Sequence, residues 1–328
     1  MARKRERGFP ADPEPLPVPV VDNHTHLDHI GAVLPSDMPA PTPTEHLARA
    51  AAAGVDRVVQ VGCDLESARW TASLLSAAPA RPGVDYTVLG GTASTTQDDV
   101  AERDRVLGAV AIHPNEATLH AGIDEVGPDG LEPEPEPRHA ASLDDAIAEV
   151  ADLARAHERI RAIGETGMDL FRTGPRGEEA QRESFRAHIA LAKELDLALQ
   201  IHDRDAHAQV IEVLLADGAP ERTVFHCFSG DAEMARVCAE HGWYLSFAGP
   251  VTFKPNDELR AALTETSRDR ILLETDAPYL TPHPFRGRPN APFAAAHTVR
   301  FMAEFLGSDL GKLCSEISAN SEAVYGKW

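Results

Sequence analysis

The sequence predicts a single (β/α)8 barrel, the TIM-barrel fold, with a functional site at the carboxyl ends of its strands. Three observations favour this α/β fold class: eight short runs rich in β-branched residues, longer stretches of helical periodicity between them, and polar side chains at the ends of several runs. A length of 328 residues is compatible with one such domain. A doubly wound open sheet gives a similar alternation, and strand count alone does not exclude it.

The predicted strands alternate with helical patterns along the chain. In order, the strands are PVPVVD, RVVQVG, LGAVAIHP, IRAIGETG, LALQIHD, RTVFHCFSG, WYLSFAG and ILLETDAP. Helical patterns between them include TPTEHLARAAAAG, SLDDAIAEVADLARAHE, EEAQRESFRAHIALAKELD, DAHAQVIEVLLADG and DAEMARVCAEHG. Several of these patterns begin at Ser, Thr or Asp and end at Gly, as capped helices do. Strands that are each followed by a helical segment favour a barrel of parallel strands.

Composition sets the boundaries of the predicted domain. Residues 1–17 begin with basic residues but continue with prolines and acids, so we expect a disordered tail rather than a signal peptide. The barrel domain is predicted for residues 18–328, with insertions near residues 78–105 and 120–142. The second insertion contains Pro–Glu repeats that cannot build a core, and we expect an exposed, mobile, acidic loop there.

The overall charge and composition limit the classes of protein. Hydrophobic residues make up 43% of the chain and no apolar run is long enough to span a bilayer, so we expect a soluble protein. The formal charge of −21, from 31 basic and 52 acidic residues, argues against a general nucleic-acid coat protein. It does not exclude an enzyme that grips a nucleic-acid end through bound cations. The four cysteines have no CxxC spacing and are expected to be reduced thiols in the cytoplasm.

Ligand-type side chains follow most of the predicted strands. His24 and His26 end the first strand, and alternate residues of an extended strand point to the same face, so the two imidazoles project together. The carboxyl ends of barrel strands surround one mouth, where the catalytic residues of such barrels lie. The side chains expected at this mouth are His24, His26, His113, Glu165, His202, His226 and Asp276.

Each of these residues also has a purely structural interpretation. A histidine pair can be a surface accident, Glu165 can cap a helix, and Asp276 can form a turn before Pro278. His202 and His226 can be core residues that are hydrogen-bonded to the backbone. Together, however, these interpretations require several independent coincidences at the same end of successive strands, and buried unpaired carboxylates are costly. We therefore interpret the set as a metal site.

The same residues lie in an ordered set of motifs. These are DNHTHLD, IHP, GETGMDL, IHDRDAH, HCFSG and ETDAPYLTP, continuing through FRGRPNAP to ANSEAVYG. The set resembles the TatD family of metal-dependent hydrolases, within the amidohydrolase superfamily, from about Val18 onward. The resemblance implies a (β/α)8 barrel with a site for two divalent metal ions and deoxyribonuclease activity.

The resemblance also implies a role for each residue. The metal ligands that it implies are His24, His26 and Asp276 for the first ion, His202 and His226 for the second, and Glu165 as the bridge between them. The predicted catalytic residues are Glu165, through metal bridging, and Asp276, which is placed to accept the proton of the attacking water. Two ions can clamp the attacking and the leaving oxygen of a phosphodiester. Zn²⁺ and Mn²⁺ suit these ligands well, Fe and Ni²⁺ acceptably, and Mg²⁺ less comfortably.

Two further residues are predicted to contact the substrate. His113, in AIHPNE, matches the GxHP motif of the family and is expected to touch a phosphate or to support the ligands. Arg204 is the best phosphate-binding candidate, because a guanidinium matches phosphate oxygens bidentately. The chain departs from the family in RGRPNAP, where Ala291 replaces an acid, and in its two insertions, which could narrow the mouth and alter substrate choice.

The implied substrate is DNA, as single strands or 3′ ends, cleaved in the manner of an exonuclease. An amide or ester hydrolase, such as a D-aminoacyl-tRNA deacylase, uses the same kind of two-metal site, and no motif here separates the two activities. A partner protein that keeps the metals only for stability is a third possibility, against which the intact ligand set argues. We expect no membrane partner and a cytoplasmic monomer.

Overall fold

Eight parallel strands follow one another around the barrel in the order of the chain. The computed structural model of the protein describes residues 8–76 and 104–328. The strands are β1 (Val20–Thr25), β2 (Val55–Gly62), β3 (Val106–Val110), β4 (Ile160–Asp169), β5 (Ala198–Arg204), β6 (Thr223–Phe225), β7 (Tyr244–Phe247) and β8 (Ile271–Leu273). Each overlaps one of the eight predicted runs, so the predicted fold class is confirmed.

Contacts between the first and last strands close the barrel. The side-chain amide of Asn23 donates to the carbonyl oxygen of Leu273 at 2.8 Å. Beyond the end of β8, Ala277 forms an isolated parallel bridge with Thr25. A doubly wound sheet has two open edges. The contacts between β1 and β8 therefore exclude that alternative.

Helices surround the barrel. In the described residues they are α1 (Pro43–Ala52), α2 (Leu65–Leu75), α3 (Pro114–His120), α4 (Leu143–Ala156), α5 (Pro175–Leu195), α6 (His207–Asp217), α7 (Ala232–Glu240), α8 (Asp257–Glu265), α9 (Ala295–Phe305) and α10 (Leu310–Tyr325). The side chains of Asp64, Ser142 and Asp231 accept hydrogen bonds from first-turn N–H groups, as the capping pattern of the sequence predicts. Among the described helices, none combines the length and the apolar character that crossing a bilayer requires.

Side chains fill the end of the barrel that lies opposite the mouth. Tyr325, in the last turn of α10, is buried there, and its hydroxyl oxygen accepts a hydrogen bond from Gln200 at 2.7 Å. The strand residues that pack in this layer are Val59, Val61, Leu107, Ala109, Ala162, Ala198, Val224, Tyr244 and Leu272. A second, larger core lies between the strands and the helices. Packing therefore closes one end of the barrel and leaves the other for the polar residues.

The segment before the barrel corrects one prediction. Residues 8–17 lie against the barrel, so the predicted disordered tail is wrong for them: Leu16 is buried in the core, and Asp12 accepts a hydrogen bond from Arg49 at 2.6 Å. Local patterns in the sequence do not indicate this contact. The side chains that anchor the segment, such as Arg49 and Arg300, belong to distant parts of the chain. Residues 1–7 lie outside the described residues.

The two predicted insertions differ in how much the structure describes. The insertion near residues 78–105 lies almost entirely outside the described residues, which resume at 104. The insertion at residues 120–142 contains a short 3-10 helix, Pro137–Ala140, and is exposed over most of its length. It connects α3 to α4 and passes beside the mouth.

Candidate metal centre

The predicted site residues come together at the carboxyl end of the barrel. They surround a cavity of about 930 Å³, with His24 buried among them. All eight are brought to the mouth, from six different strands or the loops that follow them: His24, His26, His113, Glu165, His202, Arg204, His226 and Asp276. Because the strands are parallel, residues that are far apart in the chain leave the barrel at the same rim.

The two histidines of the first strand face each other through their Nε2 atoms, which lie 3.2 Å apart. The Nδ1 atom of His24 lies 3.1 Å from Oε1 of Gln200, whose amide nitrogen donates to Tyr325. The Nδ1 atom of His26 lies 3.1 Å from the carbonyl oxygen of Val61. Both Nδ1 atoms therefore donate a proton, and in the neutral rings both Nε2 atoms carry a lone pair. Two lone pairs at this distance require a proton or a cation between them.

The carboxylate of Glu165 lies in the middle of the imidazoles. Its Oε1 atom is 2.8 Å from Nε2 of His226 and 2.5 Å from Nδ1 of His202. Its Oε2 atom is 3.4 Å from Nε2 of His24. Burial opposes ionisation of Glu165, but His226 and His113 outweigh it and hold the pKa of this carboxyl well below its usual range. One carboxylate thus reaches both the first-strand histidines and the histidines after β5 and β6.

The local backbone explains how Glu165 reaches this position. The pairing of β4 with β5 is irregular around Glu165. A Cβ atom on the preceding residue, Gly164, would lie 2.4 Å from Cβ of Gln200, so only glycine permits this approach of the two strands. The approach brings Glu165 beside His202, which extends from β5.

Two buried carboxylates that the sequence analysis did not single out hold the outer nitrogens of the other histidines. Nε2 of His202 lies 3.3 Å from Oδ2 of Asp169, and Nδ1 of His226 lies 3.3 Å from Oε1 of Glu274. Carboxylates in this position fix the tautomer of a metal-binding histidine. The sequence offered one signal for them, since both lie in the motifs GETGMDL and ETDAPYLTP.

Asp276 completes the side of the cluster formed by β1 and β8. Its Oδ1 atom is 3.5 Å from Nε2 of His26. The backbone of Asp276 has a φ of 54°, in the left-handed region that Asp tolerates better than most residues. This conformation places its carboxylate at the cavity, where 14% of the side chain stays exposed. The carboxylate is thus within reach of a substrate or a water molecule.

His113 lies at the mouth as a hydrogen-bond donor. Its Nδ1 atom accepts a hydrogen bond from the backbone N–H of Asn115 at 3.1 Å, where α3 begins. The neutral ring therefore carries its proton on Nε2, which lies 3.4 Å from Oε1 of Glu165. This arrangement suits a residue that donates to a carboxylate or a phosphate oxygen. It does not suit a metal ligand.

Arg204 reaches the cavity at the end of β5. Its guanidinium lies 4.2 Å from the ring centroid of Phe171, in a cation–π contact. In the described part of the chain, no carboxylate pairs with Arg204. Its charge is therefore available to an anion in the cavity, and binding of a phosphate by Arg204 stays a prediction.

Two further residues border the site without having been predicted. The thiol of Cys63 donates to Oε2 of Glu165 at 3.3 Å, and burial raises the pKa of this thiol well above its usual value. The ring of Tyr279 is half exposed at the cavity, 6.4 Å from the ring of His26. The aromatic side chains in and around β7, which are Trp243, Tyr244, Phe247 and Phe253, are buried and offer no surface for base stacking. Tyr279 therefore presents an exposed aromatic surface beside the cluster.

The donor set fits divalent metal ions. Burial opposes protonation of His202, but its hydrogen bond to Asp169 and the charge of Glu165 raise its pKa to about 9. Burial also opposes protonation of His26, but Asp276 and Glu165 raise its pKa to about 9. An electrostatic field that holds protons on buried imidazoles also attracts a cation, which displaces those protons on binding. The histidine nitrogens around Glu165, together with its carboxylate oxygens, would supply the ligands of the metal ions.

A second cluster of ligand-type residues, at the insertion, is satisfied without a metal. Glu116 binds the guanidinium of Arg138 through both oxygens, at 2.7 and 3.1 Å. Nδ1 of His139 accepts from the backbone N–H of Glu136, so its Nε2 donates to Glu116 at 2.8 Å. Although His120 lies within reach of the same group, the carboxylate and one imidazole are already paired. This cluster anchors the insertion to α3.

A barrel whose mouth gathers five imidazoles around one carboxylate is the arrangement of a metal-dependent hydrolase. The chain belongs to the TatD related DNase family, whose model matches residues 21–326. It is 39% identical over 312 residues to the uncharacterized metal-dependent hydrolase TatD of Mycobacterium tuberculosis, covering 94% of this chain and 98% of that protein.

Two other proteins extend the comparison. The 3′-5′ ssDNA/RNA exonuclease TatD of Escherichia coli is 32% identical over 204 residues, which cover 60% of this chain and 76% of that protein. The crystal structure of YjjV, a TatD homologue from Escherichia coli, superimposes with a TM-score of 0.69 at 22% identity and covers 93% of this chain and 97% of that one. The second comparison supports the fold alone.

Proposed function

We propose that the protein is a two-metal nuclease that removes nucleotides from single-stranded nucleic-acid ends. The position of Glu165 carries the proposal, because its two oxygens face two separate sets of imidazoles, His24 with His26 and His202 with His226. A bridging carboxylate between two ligand sets is the arrangement expected of a two-ion hydrolase. The name of the Escherichia coli relative, a 3′-5′ ssDNA/RNA exonuclease, supports the choice of substrate.

Each residue of the site has its own proposed role in phosphodiester hydrolysis. Bound divalent ions would supply Lewis acidity and lower the pKa of a water molecule to near neutrality. Glu165 would hold the two ions together, and Asp276 would accept the proton of the attacking water. His113 would donate from Nε2 to a phosphate oxygen, and Arg204 would bind a neighbouring phosphate bidentately.

An amide or ester hydrolase remains the alternative proposal from the same ligand set. An acyl centre does not need a free guanidinium beside the ions, whereas a phosphodiester gains from one. Arg204, which has no carboxylate partner in the described part of the chain, therefore favours the nuclease over hydrolysis of an amide or ester without phosphates. The cytoplasmic location and monomeric state stay predictions.

The deciding experiment is a panel of substrates offered to one metal-reconstituted preparation. Single-stranded DNA, duplex DNA, RNA and an aminoacyl ester are compared after reconstitution with Mn²⁺, Zn²⁺ or Mg²⁺, with a chelator-treated sample as the blank. We expect release of mononucleotides from single strands, loss of activity with the chelator and recovery with metal. Asp276→Asn serves as the control for a contaminating nuclease. Hydrolysis of the aminoacyl ester with no cleavage of any nucleic acid would contradict the proposed nuclease function and support the amide or ester hydrolase.

A further inference from the structure

The insertion of residues 120–142 is fixed to the loop between β4 and α5. Oε2 of Glu125 accepts hydrogen bonds from the backbone N–H groups of Arg176 and Gly177, at 3.0 and 3.1 Å, in the first turn of α5. The backbone N–H of Asp129 donates to the carbonyl oxygen of Phe171 at 3.0 Å. A carboxylate at the N-terminus of a helix is favourable for the helix as well. The insertion is thus held in one place beside the mouth.

Asp129 lies where this contact is tightest. A Cβ atom on the nearby Gly127 would lie 2.4 Å from the carbonyl carbon of Arg172, so the two backbones touch. Oδ1 of Asp129 accepts from the backbone N–H of Leu131 at 3.1 Å. Oδ2 lies 2.9 Å from a terminal nitrogen of Arg172, at angles outside those of a hydrogen bond. The contact between Asp129 and Arg172 is therefore an attraction of charges without a directional bond.

Among the described residues, Arg172 and Arg204 are the two arginines that line the cavity, and they differ in their partners. The side chain of Arg172 is 36% exposed and is paired with Asp129, whose own side chain is 5% exposed. Arg204 lies against an aromatic ring and has no carboxylate partner in the described part of the chain. The barrel supplies two cations to the mouth, and the insertion neutralises one of them.

We propose that Asp129 limits the affinity of the mouth for a nucleic-acid strand: by pairing with Arg172, it leaves Arg204 as the one free guanidinium that the described residues place at the cavity, and so weakens the hold on the phosphates beyond the scissile bond. This inference rests on the proposed nuclease function, since it concerns how the same mouth holds a polyanion. Each phosphate bound by a cation adds affinity that depends on salt. A mouth with one free guanidinium favours release of the strand after each cleavage.

The test compares three variants in the metal-loaded protein. Binding of a fluorescein-labelled, nuclease-resistant phosphorothioate oligothymidylate is followed by anisotropy across a series of NaCl concentrations. Asp129→Asn keeps the bond to Leu131 but releases Arg172, so affinity should rise about two- to fivefold, the effect of one partly exposed charge pair. The slope of log K against log salt should become steeper by about 0.7, the value for one more phosphate contact on a single strand. In Asp129→Asn/Arg172→Gln both gains should vanish.

Asp124→Asn is the matched control, because it removes the same charge from an exposed position of the same insertion. A similar gain in Asp124→Asn, or a gain that persists without Arg172, would assign the effect to overall charge and overturn the proposal. No change in Asp129→Asn, or no binding by either protein, would also overturn it. Binding is measured separately from turnover. A protein that binds the oligonucleotide but never cleaves its phosphodiester counterpart would refute the proposed nuclease function. The comparison of the variants in binding would still be valid.

Discussion

Glu274 accepts a hydrogen bond from Nδ1 of His226 at 3.3 Å while its side chain is fully buried. The same oxygen accepts the backbone N–H of Cys227 at 2.8 Å. This pair fixes the proton of His226 on the nitrogen that faces away from the cluster, so that the Nε2 lone pair points at Glu165. The orientation of His226 in the candidate metal centre therefore depends on a residue outside the predicted ligand set.

The hydrogen bond between Glu274 and His226 predicts different results for two substitutions of Glu274. Glu274→Gln retains an oxygen that can accept both hydrogen bonds, so metal affinity should stay near that of the natural chain. Glu274→Leu leaves the tautomer of His226 unfixed, and metal affinity should fall about 10- to 100-fold. Calorimetric titration with metal measures the metal affinity of both variants. Equal loss in the two variants would mean that the charge, rather than the tautomer, matters.

Removing the charge of Glu165 should chiefly lower metal content, whereas removing the charge of Asp276 should chiefly lower turnover. Glu165→Gln takes away the negative charge between two cations, so metal content should fall and activity should fall with it. Asp276→Asn keeps an oxygen ligand but loses the base, so turnover should drop on the order of 10²–10⁴-fold while much of the metal stays bound. Metal content and turnover are measured on the same samples. Near-normal turnover in Asp276→Asn, or full metal content and activity in Glu165→Gln, would contradict this division of roles.

Arg204→Ala should weaken substrate binding without affecting the metals. The guanidinium lies at the cavity against Phe171 and is not one of the predicted metal ligands, so its removal should delete the proposed phosphate contact and leave the metals in place. Because hydrogen bonds to charged groups are strong, KM for an oligonucleotide should rise about tenfold or more at constant metal content. Arg236→Ala, at an exposed arginine paired with Glu265, is the control and should leave KM unchanged. An unchanged KM in Arg204→Ala would make Arg204 an ordinary surface charge.

The buried His188 should make the stability of the protein depend on pH. Its Nδ1 donates to the carbonyl oxygen of Ser184 and its Nε2 accepts from the backbone N–H of Ile112, and burial lowers its pKa from 6.5 to about 4. Below pH 6.5 the unfolded chain takes up this proton and the folded chain does not, so stability is lost as pH falls from 6.5 towards 4. The loss from this residue amounts to about 3 kcal/mol.

Thermal unfolding at several pH values tests this expectation. The difference in free energy of unfolding between pH 7 and pH 4.5 should shrink in His188→Gln, whose amide oxygen can still accept from Ile112. His283→Gln, at an exposed histidine, should keep the pH dependence of the natural chain. An unaltered pH dependence in His188→Gln would show that His188 is not held neutral by the fold.

The sequence by itself determined the barrel and the residues at its mouth. Strand and helix periods are local properties of the chain, and a polar residue that follows a strand must lie at that end of the strand. His24, His26, Glu165 and His202 could therefore be placed together before any coordinates were known. Their roles as ligands stay a prediction, since their placement alone does not identify the ion.

Only the tertiary structure decided which groups surround those residues. Glu274 and Asp169 became recognisable when burial and hydrogen-bond distances showed them holding the outer nitrogens of two histidines. The pairing of Asp129 with Arg172 joins an irregular insertion to a loop 43 residues later, and no period in the sequence relates the two. The segment at residues 8–17 likewise binds side chains far along the chain. Such contacts depend on which distant surfaces meet after folding, and local sequence patterns contain no record of that.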